Sequence, residues 1–316
     1  MPRSQHFVFI LLEDFAHLAF SCAVEPLRIA NMESGQDLYS WSFVSEDGRV
    51  ARCSNGTVTQ VHAGLDAAVK CDRLFVIAGH APHTRITPAL LANLRRSKAM
   101  GVKVGALCSG AWVLAAAGML DGQSAAIHWE FHDGFQEAFA DVDLVRNVFV
   151  ATGRHITASG GTATADLMLH LIEQDHGAEL VAAIADQMVY TGVRAGTAEQ
   201  RASVQARRGM RNAHLARAIK IMSEHLDAPL PPAQIAGRIG ISSRQLERLF
   251  GKHLGTSPKK YFMEMRLERA RHLLVQTEQS VSDVAFACGF ESPGHFSRVY
   301  RTAYGVTPMM QRDKLG

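Results

Sequence analysis

Apolar positions in the first half of the chain fall into short runs separated by stretches with helical spacing. His6–Leu12 is a nearly unbroken apolar run of strand length, and apolar periodicity then continues through Ala30. Ser40–Ser45, Thr57–Val61, Arg73–Ile77, Val102–Leu107 and Ala125–His128 read as further strands, with helix patterns at Thr87–Met100, Gly110–Ala117 and Glu130–Phe139. Such strands interleaved with helices predict a doubly wound α/β layer, its mostly parallel sheet covered on both faces. Val142–Val150 and Arg154–Ala158 flank Thr152-Gly153 and read as a hairpin added to that sheet. Thr162–His176, closed by Gly177, and Ala178–Val189 read as two final helices.

Between Ala195 and Asn212 the periodicity dissolves into a polar stretch that turns basic at its end. It reads as a linker, with a frayed helix as the alternative. The expected division is therefore residues 1–194, linker 195–212 and a second domain at 213–316. Everything beyond the linker has helical spacing, so an all-α domain follows the α/β one.

That second domain repeats itself. Ile235, Ala236, Gly240 and Ile241 recur 49 positions later as Val284, Ala285, Gly289 and Phe290. After a one-residue insertion the offset becomes 50, and Leu246, Arg248, Phe250, Gly255 and Pro258 match Phe296, Arg298, Tyr300, Gly305 and Pro308. Each copy reads as a short helix, a glycine at a sharp turn, and a second amphipathic helix, which is a helix-turn-helix. The copies are joined by the helix pattern Ser257–Gln276; some 19 helical residues give a rod of roughly 28 Å. Two recognition helices on such a rod suit successive major grooves, roughly 34 Å apart on one face of B-DNA.

Composition changes the picture in one respect. The 316 residues are 47% hydrophobic and 20% charged, ordinary for a globular chain and unlike a disordered or fibrous one. No apolar run approaches the ~18 residues of a membrane span, and the first residues lack the apolar core of a signal peptide, so a cytoplasmic location is expected. Five cysteines without CxxC spacing argue for reduced thiols rather than a zinc knuckle or disulfide framework. The net charge of +3, however, conceals a division: residues 1–195 carry 14 Lys/Arg against 20 Asp/Glu, and residues 196–316 carry 19 against 10. A basic helical module joined to an acidic one points to a polyanion on one side only.

The segment from Ile235 through Pro308, with RQLERLF, SPKKYFMEMRLERARHLL and FACGFESPGHFSRVYRTAYGVTP, resembles the AraC/XylS-type DNA-binding domain without a gap. The resemblance implies recognition helices at Ser242–Leu254 and Ser292–Tyr304. Their candidate contacts to double-stranded DNA are Ser243, Arg244, Gln245 and Arg248 from the first and His295, Arg298 and Arg301 from the second. Arg forks onto guanine and Gln onto adenine, while either role, base or phosphate, uses the same residue types. Leu246, Leu249, Phe250, Phe296, Val299 and Tyr300 form the opposite, core-facing stripe. Glu291 departs from the small polar residue common in this family at the start of the second recognition helix.

In the first half, VGALCSGAWVLAAAGMLDG sets Cys108 between a strand and a helix start, the form of a nucleophile elbow. A helix N-terminus favours the thiolate, and His128 follows 20 residues later, so the pair carries the minimum for thiol chemistry. Residues 5–190 resemble the PfpI-type branch of the class I glutamine amidotransferase-like superfamily, with its flavodoxin-like sheet. The likeness is greatest to such domains fused to AraC-type regulators, through AVEPLRIAN, YSWSFVSEDG, ALCSGAWVLA, AIHWE and SGGTATADLMLHLI. Enzymes of that branch carry an acid on the first helix where this chain has Ala19. The acid–base pair is thereby broken, so no catalytic residue is expected and the enzyme pocket is read as a retained ligand sensor. Glu130 reads either as a substitute carboxylate or as the cap of the next helix.

Cys108, Trp112, His128 and Trp129 are the expected ligand-binding residues, the two indoles suiting a cationic nitrogen through cation–π attraction. Core packing is the alternative for each Trp and for Cys108. His128 and His132 stand at i, i+4, but Trp129 holds the place of a zinc protease's Glu, so neither a metal nor a cofactor is expected. Gly160-Gly161 before a helix suits either an anion or a sharp turn. The resemblance implies a transcriptional activator that works as a homodimer through its first domain, with RNA polymerase as a partner. It favours effectors such as glycine betaine, carnitine or arginine. The alternatives are a cysteine-dependent hydrolase or amidase fused to a DNA-binding module, and a constitutive DNA-binding protein whose α/β domain only dimerises.

Overall fold

Alternation along the first strand sets up the first half of the molecule. In β1 (Gln5–Leu11) successive side chains leave on opposite faces of the sheet. Phe7, Phe9 and Leu11 enter one hydrophobic core, whereas Val8 and Ile10 enter the other together with Leu12 just beyond the strand. The computed structural model describes residues 3–151, 155–200 and 213–313, which divide into two units, Met1–Gln200 and Arg201–Gly316.

In the first unit β1 leads through α1 (His17–Ser34) to β2 (Tyr39–Val44), and a small hairpin of β3 (Val50–Arg52) and β4 (Val58–Gln60) follows. Next come β5 (Arg73–Ala78), α2 (Pro88–Ala99), β6 (Lys103–Cys108) and α3 (Ala111–Ala116). The remaining elements are β7 (Ser124–Ala125), α4 (His132–Ala138), β8 (Asp143–Leu144), β9 (Phe149–Val150), β10 (Ile156–Ala158), α5 (Ala163–His176) and α6 (Ala178–Gln187). The central sheet runs in the order β2-β1-β5-β6-β10-β9, and every neighbouring pair is parallel except β10 with β9. One core lies against α1, α5 and α6, the other against α2, α3 and α4. This is the expected doubly wound, flavodoxin-like layer. β1 connects outward to β2 on one side and the chain then resumes at β5 on the other, so the sheet's switch point lies between β1 and β5. In such sheets ligands bind at the carboxyl ends of the strands beside that point.

Three local expectations differ. The strand drawn over Ala125–His128 stops at Ala125, because Ala126 N–H donates to the Thr157 hydroxyl at 2.9 Å and a 3-10 turn takes over at Trp129–Phe131. The hairpin exists as β9 and β10, but β8 leaves to pair with β7; its turn residues Thr152 and Gly153 lie outside the described residues. The segment expected to open the linker at Ala195 stays on the first unit through Gln200. Val148 N–H donates to Ala198 O at 2.8 Å and Gln200 N–H to Arg146 O at 3.1 Å. A polar segment without periodicity can still pair its backbone with an open sheet edge, which the apolar pattern does not report. The rest of that expected linker, residues 201–212, is outside the described residues.

The second unit is helical throughout its described part: α7 (Ala213–Ser223), α8 (Pro232–Arg238), α9 (Ser243–Leu254), α10 (Pro258–Gln276), α11 (Val281–Ala287), α12 (Pro293–Tyr304) and α13 (Pro308–Asp313). Both copies of the repeat begin their second helix on a serine cap, Ser242 accepting from Gln245 N–H and Ser292 from His295 N–H. Each copy has its own core. Leu215, Ile235, Leu246 and Phe250 gather around the first, and Val284, Phe290, Phe296 and Tyr300 around the second. The connecting rod α10 serves both, with Phe262 in the first core and Leu267, Leu273 and Leu274 in the second.

The turn glycines are left-handed, Gly240 at φ 76° and Gly289 at φ 70°. Their surroundings differ. A β-carbon on Gly240 would meet nothing within 4 Å, whereas one on Gly289 would stand 2.6 Å from Pro229 Cδ and 2.7 Å from Asp227 O. Arg266 of α10 secures the same turn, donating from Nε to Cys288 O at 2.7 Å and from Nη2 to Gly289 O at 2.6 Å. Its guanidinium lies 4.2 Å from the Phe290 ring centroid.

Candidate functional site

The two capped helices α9 and α12 each divide into a buried and an exposed face. Leu246 and Phe250 are fully buried on α9, as are Phe296 and Tyr300 on α12, while Leu249 and Val299 are half-buried. Ser243, Arg244, Gln245 and Arg248 are all exposed on α9. Arg244 and Arg248 are four apart and so share one side of the helix. On α12 the exposed residues His295, Arg298 and Arg301 follow at three-residue intervals and form a basic row. Polar side chains at the first turn and basic ones along an exposed face are the furnishing of a helix that enters the major groove.

Gln245 carries a constraint that the sequence did not announce. Its Oε1 accepts from Ser242 N–H at 2.9 Å and from the Ser242 hydroxyl at 3.1 Å, completing a capping box. A bidentate fork onto adenine would have to give up those bonds, which leaves the amide NH₂ as its outward-reaching group. Glu291 is exposed and precedes the Ser292 cap, so it lies outside α12.

The first unit places Cys108 at the carboxyl end of β6 with φ 60°, the left-handed backbone of an elbow. Ser109, next in the turn, donates its hydroxyl to Gly79 O at 2.6 Å and ties the elbow to the end of β5. The neighbouring wall is close: a β-carbon on Gly160 would stand 2.6 Å from Cys108 Cβ and 2.9 Å from its Sγ. This close approach, together with φ 87° at Gly160, accounts for the glycine pair as a turn pressed against the thiol.

The thiolate expectation is corrected. Burial, aided by the Glu130 charge, pushes the Cys108 thiol up to about 12, and a hydrogen bond from the Ser109 N–H only partly opposes it. Cys108 is 7% exposed, and a buried thiol is denied the water that would solvate its charge. Ala19 is completely buried in the same core, so no carboxylate stands at that position to take the proton.

His128 comes to Cys108 through its backbone, the N–H reaching Cys108 O at 3.4 Å. Its ring faces Trp129 at 5.3 Å between centroids, and its Nδ1 lies 3.9 Å from Glu130 Oε2. Glu130 therefore lies beside His128, and its charge is felt at Cys108; the residue at the N-cap of α4 is Phe131. Trp112 is a second correction. It is 4% exposed, packs against Phe135 at 5.8 Å and Phe139 at 5.4 Å, and belongs to the core on the opposite side of the sheet from Cys108. Sequence proximity does not carry over because the chain changes element between them: Cys108 ends β6 against one core, and Trp112 lies on α3, which packs into the other. His132 donates from Nε2 to Ile127 O at 3.1 Å, and burial lowers it to about 4, so it stays neutral. No cluster of metal-ligating side chains occurs among the described residues.

One feature of this edge was missed from sequence. Asp14, just past β1, has φ 62° and pairs with Arg85 at 2.8 Å, placing a charged pair at the switch point next to the elbow. The signal available was an acidic pair, Glu13-Asp14, directly after the apolar run of β1.

Comparisons agree with both halves. The DJ-1/PfpI family model matches residues 7–174 and a helix-turn-helix domain model matches residues 235–314. The chain is 43% identical over 312 residues to the HTH-type transcriptional regulator CdhR of Pseudomonas aeruginosa, covering 99% of this chain and 93% of that one. It is 39% identical over 305 residues to the regulator GbdR of the same species, covering 96% and 83%. Among solved structures, an AraC family transcriptional regulator from Pseudomonas putida is 26% identical with a TM-score of 0.53, over 58% of this chain and 99% of that one. Drosophila melanogaster DJ-1beta, 19% identical with a TM-score of 0.51 over 60% and 100%, shares the fold of the first half.

Proposed function

The chain belongs to the AraC-type transcriptional regulators whose first half is a DJ-1/PfpI domain, and from that premise we propose that it is a metabolite-responsive activator rather than an enzyme. It binds DNA through α9 and α12. Its effector is a small nitrogenous compound, cationic or zwitterionic, held at the carboxyl edge of the first unit's sheet by Cys108, His128 and Trp129. Ser243, Arg244, Arg248, His295, Arg298 and Arg301 contact the promoter, with Gln245 contributing through its amide NH₂. The protein works in the cytoplasm as a homodimer joined through the first unit, and recruits RNA polymerase.

One observation carries the reading: the left-handed elbow is kept while its thiol is buried and the first helix has Ala19 in place of an acid. Nucleophilic catalysis needs a thiolate or a base to make one. An elbow without that chemistry is left with binding alone. For the promoter, arginine side chains on an exposed helix face supply charge-assisted contacts that neither core needs.

The test is Cys108→Ala in the full-length protein, with glycine betaine, carnitine and arginine as probes. A ligand bound by the folded state alone raises the melting temperature, by an amount set by its concentration over Kd. The sensor reading expects at least one probe to raise it and to change promoter occupancy, with both responses still reached in Cys108→Ala at a higher probe concentration, since one contact is lost but no chemistry. Amide or ester turnover that vanishes in Cys108→Ala would establish the hydrolase instead.

A further inference from the structure

Beyond α6 the chain does not leave the first unit at once; it runs across it as a strap pinned at two points. The first pin is Asp166 of α5, whose side chain is completely buried. It accepts from the Tyr190 hydroxyl at 2.9 Å, from Arg194 N–H at 2.8 Å and from Arg194 Nε at 2.8 Å. The second pin is Gln200, whose Nε2 donates to Ile127 O and to Asn147 O, each at 2.9 Å. Between the pins the strap pairs with the outer edge of the sheet beside β9. Asn147 and Glu199 form an antiparallel bridge, and Val148 and Phe149 donate to Ala198 O and Gly196 O at 2.8 and 3.5 Å.

The second pin adjoins the candidate site. Ile127, which Gln200 grips, precedes His128, whose own N–H reaches Cys108 O at 3.4 Å. Two hydrogen bonds and one peptide link thus join the elbow to the last described residue before the second unit. The two pins also differ in strength. Arg194 neutralises a buried carboxylate, and breaking that contact would leave an uncompensated charge in the protein interior, one of the costliest local defects a fold can carry. Gln200 makes neutral bonds, whose loss is largely offset when water takes over the freed groups. The strap is therefore fastened firmly at Arg194 and lightly at Gln200.

We infer that this strap is a coupling device: movement of the 127–129 segment when the site is occupied frees or fastens residues 195–200. Its release changes how much chain separates the two units. With Gln200 pinned, residues 201–212 lead on to α7; with the strap released back to Arg194, residues 195–212 do. The six added residues extend the reach by at most roughly 20 Å, a large fraction of the ~34–36 Å between half-site centres on DNA. The inference rests on the reading of the Cys108 edge as an effector site, but its mechanics can be tested without a ligand.

Gly196→Ala supplies the lever in the full-length protein. A β-carbon there would stand 2.8 Å from the Phe149 ring, prising the strap from the edge without touching Cys108, His128 or the DNA-facing residues. Gln200→Ala removes the light pin separately. The readouts are hydrogen exchange over residues 146–150 and occupancy of the tightest-binding fragment selected from genomic DNA. Both variants are expected to exchange faster there and to change ligand-free occupancy about five-fold or more, the lower end of ordinary coupling between sites. In the wild type, a probe that raises the melting temperature is expected to alter the same exchange. Unchanged exchange in both variants overturns the strap, as does faster exchange with unaltered occupancy. So does wild-type exchange indifferent to a probe that binds. Should no probe bind, the effector reading fails by itself, and the ligand-free occupancies still decide the strap.

Discussion

The two turn glycines occupy equivalent positions in the repeat, yet their replacement by alanine should have unequal consequences. Each has a left-handed φ, 76° at Gly240 and 70° at Gly289, so an alanine at either pays roughly 1–2 kcal/mol for that backbone. At Gly240 nothing lies within 4 Å of the new methyl, and the cost ends there. At Gly289 the methyl would meet Pro229 Cδ at 2.6 Å and the carbonyl oxygens of Asp227 and Leu226 at 2.7 and 2.9 Å. None of these is the far end of a flexible side chain, so backbone has to move, adding the roughly 1–3 kcal/mol typical of overpacking. The total at Gly289 is then about 2–5 kcal/mol, and about 1.36 kcal/mol corresponds to tenfold in an equilibrium. Native-state hydrogen exchange in the full-length protein reads this locally. Core amides of α10 and α12, such as Leu274 and Tyr300, should exchange about 30-fold faster or more in Gly289→Ala, by that conversion. Gly240→Ala should move the amides around Phe250 by only about 5- to 30-fold, from the same conversion. Trp41, Trp112 and Trp129 all lie in the first unit, so tryptophan fluorescence on heating provides an internal control that should not change. Effects within about threefold of each other would refute the clash with Leu226, Asp227 and Pro229 as the source of the difference, leaving backbone conformation alone to explain both.

Other perturbations probe the remaining parts. Because the Cys108 thiol sits at about 12, iodoacetamide should label it far more slowly than an ordinary thiol at about pH 8. Its rate should climb about tenfold per pH unit as the thiolate grows in; peptide mass spectrometry showing a plateau near about pH 9, where an ordinary thiol levels off, would sink the burial argument. Arg248→Ala or Arg298→Ala should weaken promoter binding by about 1–3 kcal/mol where the side chain reads a base. A phosphate contact would instead weaken all sequences alike and flatten the salt dependence in a titration, and unchanged binding in both variants would remove the assigned orientation of α9 and α12. Trp112→Ala should cost the first unit about 3–5 kcal/mol by opening a cavity beside Phe135 and Phe139, measured by denaturant unfolding. Trp129→Ala, at a half-buried position, should cost less stability while abolishing any effector-induced rise in melting temperature.

Much of this protein was legible in one dimension because the relevant forces act over a few residues. Apolar runs of strand length, helical spacing, serine caps and turn glycines each report local backbone preference, and a repeat at 49 and 50 positions reports the same local solution used twice. Those signals sufficed for the doubly wound layer, the twin helix-turn-helix units, and the exposed face of Arg244, Arg248, Arg298 and Arg301. What tertiary structure decided were the properties that depend on neighbours remote in the chain. The ionisation of Cys108 turned on burial, which outweighs the Ser109 N–H at the elbow and is reinforced by Glu130. Trp112 and Cys108, four residues apart, were sent to opposite sides of the sheet. Residues 195–200 look like linker in composition yet lie along a sheet edge formed some fifty residues earlier, held by backbone bonds that no side-chain pattern encodes. Solvation and hydrogen bonding are set by whatever the fold brings within a few ångströms, and that list is written only once the chain has closed on itself.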